Sequence, residues 1–116
     1  MGTLVQFRRE VHANPELSFR EIATTERLMN RLREAGMNPV ACEGTGCYVD
    51  IGSGPFAVAL RADIDALPIV EQTNLPYAST VPGVMHACGH DIHQTVMLGV
   101  ALALHELNEK TPVSYT

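Results

Sequence analysis

The chain has 116 residues, enough for one domain with a single hydrophobic core. Hydrophobic residues make up 46% and charged residues 18%, which is typical of a soluble globular protein and argues against disorder. The net charge of −5 excludes a basic surface for nucleic acid or an anionic membrane, and no apolar run approaches the roughly 20 residues that span a bilayer. We therefore expect a cytoplasmic protein with no nucleic-acid or membrane partner.

Apolar spacing predicts two helices in the first third of the chain. Apolar residues recur at helical intervals over residues 4–12, which predicts the first helix. A second helix is predicted at about 19–35, because Ser18 and Glu21 form a capping-box pattern. Gly36 is its predicted stop, since glycine tolerates the left-handed conformation at a helix end.

The middle of the chain predicts strands and a loop. Residues 47–51 read as a strand, and residues 56–62 read as a second strand, almost wholly apolar and buried on both faces. Residues 68–84 contain three prolines and little periodicity, so we predict a loop.

The last third of the chain predicts a helix and the start of another strand. The helix opens at Asp91 or His93, and the strand begins at residues 111–116. This order predicts an α/β domain with a mixed, incomplete sheet. The apolar residues expected on the buried side of the helix are Val96, Val100, Ala103, Leu104 and Leu107. The expected core consists of Ile22, Leu28, Val58, Leu60, Val100 and Leu104.

The strongest chemical feature is a cluster of metal-binding residue types at positions 86–93, His-Ala-Cys-Gly-His-Asp-Ile-His. Thiolate and imidazole bind divalent metals such as zinc, manganese, cobalt and nickel. Cys88 and His90 are two residues apart, and Gly89 allows the backbone to bend so that both can reach one ion. A ligating imidazole needs its second nitrogen held, commonly by a carboxylate, and Asp91, like two earlier aspartates, is available for this.

Structural interpretations of these residues compete with the metal site. A lone cysteine is usually a small buried hydrophobic residue, and Asp91 could simply cap the last helix. The density of the cluster favours metal chemistry. The chain has three cysteines, and an odd number does not favour a disulfide framework.

A pair of carboxylates, Asp63 and Asp65, follows the apolar segment 56–62. Functional sites of α/β sheets gather at the carboxyl ends of strands, and alternation would place both side chains on one side of a continued strand. A turn that closes the strand explains the same residues equally well.

Three segments together resemble successive motifs of the M20 amidohydrolases, in the branch of the hippurate, N-acyl-amino-acid and auxin-conjugate hydrolases. They are His-Ala-Asn-Pro-Glu-Leu-Ser at 12–18, Leu-Arg-Ala-Asp-Ile-Asp-Ala-Leu-Pro at 60–68, and the stretch from Met85 to His93 with Met-Leu-Gly at 97–99. The resemblance implies that residues 1–116 are the N-terminal part of an α/β/α metal-dependent hydrolase domain, without the inserted dimerisation domain.

The resemblance also implies roles for individual residues. Cys88 and His90 correspond to metal ligands. Asp65 corresponds to the aspartate that orients a ligand histidine. Asp63 stands where the wider family has that histidine, and we do not assign it as a ligand. The family's general base is the first Glu of a Glu-Glu pair, which this sequence does not contain.

The function implied is metal-dependent hydrolysis of the amide bond of N-acyl amino acids or related conjugates, with Mn, Zn, Co or Ni as the ion. We expect a small-molecule substrate and a homo-oligomeric state in full-length relatives. The chain is expected to be a fragment that is inactive alone. The alternatives are one half of a split enzyme and a small metal-binding module without catalysis.

Overall fold

The computed structural model describes residues 2–55 and 58–110, and it confirms the α/β class. The predicted strand at 111–116 lies outside these residues. Strands β1 (Val40–Ala41) and β2 (Cys47–Tyr48) form an antiparallel pair in which Val40 faces Tyr48 and Ala41 faces Cys47. In chain order the elements are α1 (Gly2–Ala13), α2 (Ile22–Glu34), β1 (Val40–Ala41), β2 (Cys47–Tyr48) and α3 (His90–Lys110).

Helix α2 ends as predicted but begins differently. At its C-terminus Gly36 has φ +90°, and the amides of Gly36 and Met37 donate to carbonyls in the last turn, at 2.9 and 3.0 Å. At its N-terminus the predicted Ser18–Glu21 capping box is wrong, because no side chain of the capping position bonds the helix. The Glu16 carboxylate caps the helix instead: it accepts from the Thr24 amide at 2.6 Å and the Ala23 amide at 3.2 Å.

The hydrophobic core lies where α1 and α2 pack against α3. Gly99 allows a close approach here, since a Cβ atom at that position would lie 3.2 Å from the Leu4 side chain. The buried cluster consists of Phe7, Val11, Leu32, Met37, Ile51 and Leu98.

The predicted core was largely wrong. Ile22, Val58 and Leu60 are all more than half exposed, whereas Leu28 and Leu104 pack against the core without being fully buried. Within residues 58–62 the predicted buried strand does not form, and residues 56–57 lie outside the described part of the chain. A strand needs hydrogen-bonded neighbours, and in the described residues none pairs with this segment.

Helix α3 also buries a different face from the one predicted. It begins at His90, and its fully buried residues are Asp91, Gln94 and Leu98. Val96 and Leu107, which we expected to be buried, are 59% and 51% exposed. The helix carries apolar residues around most of its circumference, so periodicity alone does not identify the packed face.

Three separate segments meet beside the start of α3. Leu17 pairs with Ala66 in a parallel bridge, and the Ala66 amide donates to the Glu16 carbonyl at 2.8 Å. Leu67 and Met85 exchange two backbone hydrogen bonds, at 2.9 and 3.0 Å. The predicted loop at 68–84 contains no helix or strand, and no described helix is long and apolar enough to cross a membrane. These bridges bring the Asp63–Asp65 pair next to the His/Cys cluster.

Candidate metal site

His90 and Asp65 form the centre of the candidate site. The Nδ1 atom of His90 lies 2.9 Å from Oδ1 of Asp65 and 2.9 Å from its backbone carbonyl oxygen. Both partners accept hydrogen bonds, so Nδ1 carries a proton, and in the neutral ring the lone pair is then on Nε2. This is the arrangement in which protein carboxylates hold metal-ligating histidines.

Asp65 is itself held from the other side. Ser18 donates its hydroxyl to Oδ2 of Asp65 at 2.6 Å. This hydrogen bond is the main cause that lowers the pKa of Asp65 below its ordinary value, and the neighbouring His90 adds to the effect. Asp65 is therefore an ionised acceptor at neutral pH, fixed by two partners from distant parts of the chain.

Cys88 and His93 flank His90. Cys88 is an exposed free thiol. Gly89 has φ +101°, in the left-handed region that glycine tolerates, as expected for a backbone bend between the two candidate ligands. The rings of His90 and His93 lie with their centroids 5.8 Å apart.

The other aspartates take different partners. Asp63 is half exposed and accepts from Arg61 Nη2 at 2.9 Å and Nε at 3.1 Å, so it does not share the environment of Asp65. Asp91 neither caps α3 nor holds His90. Its carboxylate is buried and accepts from Arg8 Nε at 2.8 Å.

A buried polar network behind His90 was missed by the sequence reasoning. His12 is 4% exposed, and its Nδ1 lies 2.7 Å from Oδ2 of Asp91. Its Nε2 lies 3.0 Å from Oε1 of Glu71. His12 is 79 positions from Asp91 and 59 positions from Glu71 in the chain. The signal in the sequence was His12 itself, the first residue of the motif at 12–18, to which we assigned no role in the site.

Two more buried polar side chains lie near the site. Both ring nitrogens of His86 and both amide atoms of Gln94 lack a hydrogen-bond partner among the residues that the structure describes. Burial lowers the pKa of His86, against the opposing effect of the Asp91 carboxylate, so its ring is neutral at pH 7. Gln94 lines an open cavity of about 860 Å³ that also borders Ser18 and Asp65.

The residues partly fit the metal ion that the motifs imply. His90 offers a free Nε2 and Cys88 an accessible thiol, which are suitable donors for a borderline divalent ion. Among the described residues, no three His, Cys, Asp or Glu side chains lie close enough together to hold a metal ion. The described part of the chain therefore supplies at most an incomplete ligand set.

Comparison with known proteins defines the class. The sequence model of Peptidase family M20/M25/M40 matches residues 59–115. A Bacillus subtilis structure described as a dinuclear metal-binding peptidase of the M20 family superposes with a TM-score of 0.86 at 45% identity, over 91% of this chain and 31% of that one. Both matches are to proteins of the M20 peptidase type, and the structural match extends over most of this chain.

The curated relatives agree in sequence but differ in name. IAA-amino acid hydrolase ILR1-like 5 of Arabidopsis thaliana is 47% identical over 92% of this chain and 25% of that protein. N-acetyl-L-cysteine deacetylase of Bacillus subtilis is 51% identical over 89% of this chain and 26% of that protein. A Rhodococcus jostii protein named for a glutamate–cysteine ligase is 49% identical, but the match covers only 14% of it.

These matches confirm the resemblance to the M20 family that the motifs predicted. It spans between about a seventh and a third of the length of these relatives. The activities in their names belong to the longer proteins.

Proposed function

We propose that residues 1–116 supply part of the catalytic domain of a metal-dependent amidohydrolase, in which Cys88 and His90 bind the metal and Asp65 orients His90. The observation that carries this proposal is the contact of 2.9 Å between His90 Nδ1 and the ionised Asp65 carboxylate. It gives His90 the tautomer that a ligand needs. A bound divalent ion, for which Mn, Zn, Co and Ni are the candidates, would polarise the amide carbonyl of the substrate.

The remaining residues of the site position these groups. Ser18 fixes the rotation of the Asp65 carboxylate by donating to its second oxygen, which leaves Oδ1 aimed at His90. Cys88 is exposed next to the bend at Gly89 and is therefore accessible to an ion.

We propose N-acyl amino acids or related conjugates as the substrates, in keeping with the names of the hydrolase and deacetylase relatives. A cytoplasmic location and a homo-oligomeric full-length enzyme belong to the same proposal. The general base is expected in a Glu-Glu motif outside this sequence. General-base catalysis contributes roughly 10²–10⁴-fold, so the chain alone should show no turnover of N-acetyl or N-benzoyl amino acids.

The metal assignment is tested by substitution. Cys88→Ala and His90→Ala should each lower the metal retained after dialysis, measured by mass spectrometry for each of the four ions. Cys42→Ala is the matched control, because Cys42 is also an exposed free thiol but lies far along the chain from the cluster. Unchanged metal content in both site variants would refute the assignment. Robust chelator-sensitive turnover by the chain alone would refute the placement of the base.

A further inference from the structure

The polar network around His12 connects three parts of the molecule through side chains that are not part of the metal site. His12 lies near the end of α1, Asp91 lies in the first turn of α3, and Glu71 lies in the loop 68–84. The side chains of His12, Asp91 and Glu71 are 5%, 1% and 4% exposed. Buried charged groups are strongly unfavourable unless they are paired, so this network requires its partners.

The pairing in the network is nearly complete. Each contact of a His12 nitrogen with a carboxylate oxygen needs one proton between the two atoms. Arg8 adds a second donor to Asp91, also on Oδ2, at 2.8 Å. Two carboxylates therefore face a guanidinium and an imidazole, and no charge in the group is isolated.

The two nitrogens of His12 serve different neighbours. Nδ1 binds Asp91, the residue that directly follows the candidate ligand His90. Nε2 binds Glu71, which Thr73 and the Ser79 amide, at 2.9 Å, also hold. The Tyr77 ring packs edge-on against His12, with centroids 5.6 Å apart. One nitrogen thus faces the metal site and the other faces the loop.

The contact of His12 Nδ1 with Asp91 constrains the orientation of α1 relative to α3. Apolar contacts between these helices, such as Phe7 and Val11 near Leu98, are non-directional and tolerate small rotations. A hydrogen bond to the Asp91 carboxylate constrains the rotation of the first turn of α3. Because His90 belongs to the same turn, that rotation decides whether its Nδ1 meets Asp65.

We propose that His12 is a positioning residue for the metal site, acting through Asp91 to hold the first turn of α3 so that His90 meets Asp65. This inference rests on the proposed function, because it assumes that His90 is a ligand. In this inference the contact of His12 Nε2 with Glu71 anchors the loop 68–84 and does not position the metal ligand.

The two sides of His12 can be separated by a matched pair of variants. His12→Asn places an amide nitrogen near the position of Nδ1 and retains a donor toward Asp91. His12→Gln places its amide near the position of Nε2 and retains the contact with Glu71. Each variant loses one of the two contacts, so both should lower the urea midpoint of unfolding.

Cobalt binding by the 116-residue chain distinguishes the two variants, because a bound cysteine thiolate gives cobalt a characteristic ultraviolet absorption band. His12→Gln should weaken the apparent cobalt affinity about 10-fold, in the range known for residues that support a ligand. His12→Asn should retain most of the cobalt affinity of the original chain. Equal affinities in the two variants would overturn the inference, whether both bind as the original chain does or both bind more weakly.

Asp91→Asn provides a second measurement if a His12 variant fails to fold. It preserves the shape of the side chain and removes its charge, and it should weaken cobalt binding as His12→Gln does. An unchanged cobalt affinity would overturn the positioning role. Cys88→Ala separates failure of the positioning role of His12 from failure of the proposed function. If the cobalt absorption band and affinity of Cys88→Ala equal those of the original chain, the metal assignment itself is wrong.

Discussion

Replacing Asp65 with Asn removes the charge of the group that orients His90 and keeps its shape. The amide oxygen can still accept from His90 Nδ1, and the amide NH₂ can donate to the Ser18 hydroxyl, which now acts as an acceptor. The contact geometry can therefore persist, and the change tests the charge. The Asp65 side chain is 25% exposed, so we expect a loss of only about 1 kcal/mol in the free energy of unfolding.

The effect on metal binding should be larger than the effect on stability. Loss of a carboxylate that supports a metal-ligating histidine typically weakens metal affinity about 10–100-fold. This corresponds to about 1.4–2.7 kcal/mol of binding free energy. Titration with cobalt, followed by absorption, measures the affinity, and urea unfolding of the same samples measures the stability.

Asp63→Asn is the matched control for Asp65→Asn. It makes the same change in charge two residues away, on a side chain that is 49% exposed and paired with Arg61. We expect its cobalt affinity to equal that of the original chain. Equal weakening in the two variants would show that general electrostatic attraction, and not the contact with His90, determines the affinity. No weakening in Asp65→Asn would refute the orienting role.

Three further predictions concern stability. Phe7→Ala should lower the free energy of unfolding by about 3–5 kcal/mol, because Phe7 is 1% exposed in the centre of the core, and chemical denaturation measures this directly. Glu16→Ala should remove the cap of α2 and lower it by about 1–2 kcal/mol, with Glu16→Gln intermediate; equal stability of all three chains would contradict the cap. Burial alone would raise the pKa of Glu71, but hydrogen bonds from Thr73, the Ser79 amide and His12 lower it overall. The ionised Glu71 carboxylate therefore contributes fully to stability above its unfolded-state pKa of about 4.3, and this contribution is lost as the pH falls through the pKa of Glu71 in the folded protein. Glu71→Gln should accordingly flatten the pH dependence of the urea midpoint between about pH 5 and pH 3.

Local sequence signals predicted the helices better than the sheet. The positions of α1 and α3 and the stop of α2 at Gly36 follow from residues close together in the chain. The segment 58–62 depends on neighbouring strands, and its apolar character could not reveal that none pairs with it in the described residues. The predicted cap of α2 was wrong for a related reason, because Glu16 reaches the start of the helix across the intervening turn.

The candidate site also combines residues that the sequence predicts with contacts that only the fold creates. Asp65 was one of three aspartates predicted to be available to hold a ligand imidazole, and the bridges at Ala66 and Leu67 supply its contact with His90 over 25 residues. The sequence gives no pattern for a contact of His12 with Asp91 over 79 residues. Only the packing of α1 on α3 brings these side chains together.

The error in the buried face of α3 follows from the site itself. A helix in an ordinary core buries its apolar stripe, and that rule favoured the face that carries Val96 and Leu107. The structure buries Asp91 and Gln94 with Leu98 instead. Burial of a charged residue is unfavourable without partners, and Arg8 and His12 supply them for Asp91. Periodicity misidentified the packed face of α3 because the first turns of the helix bury polar residues, and local rules are expected to fail where function requires buried polar residues.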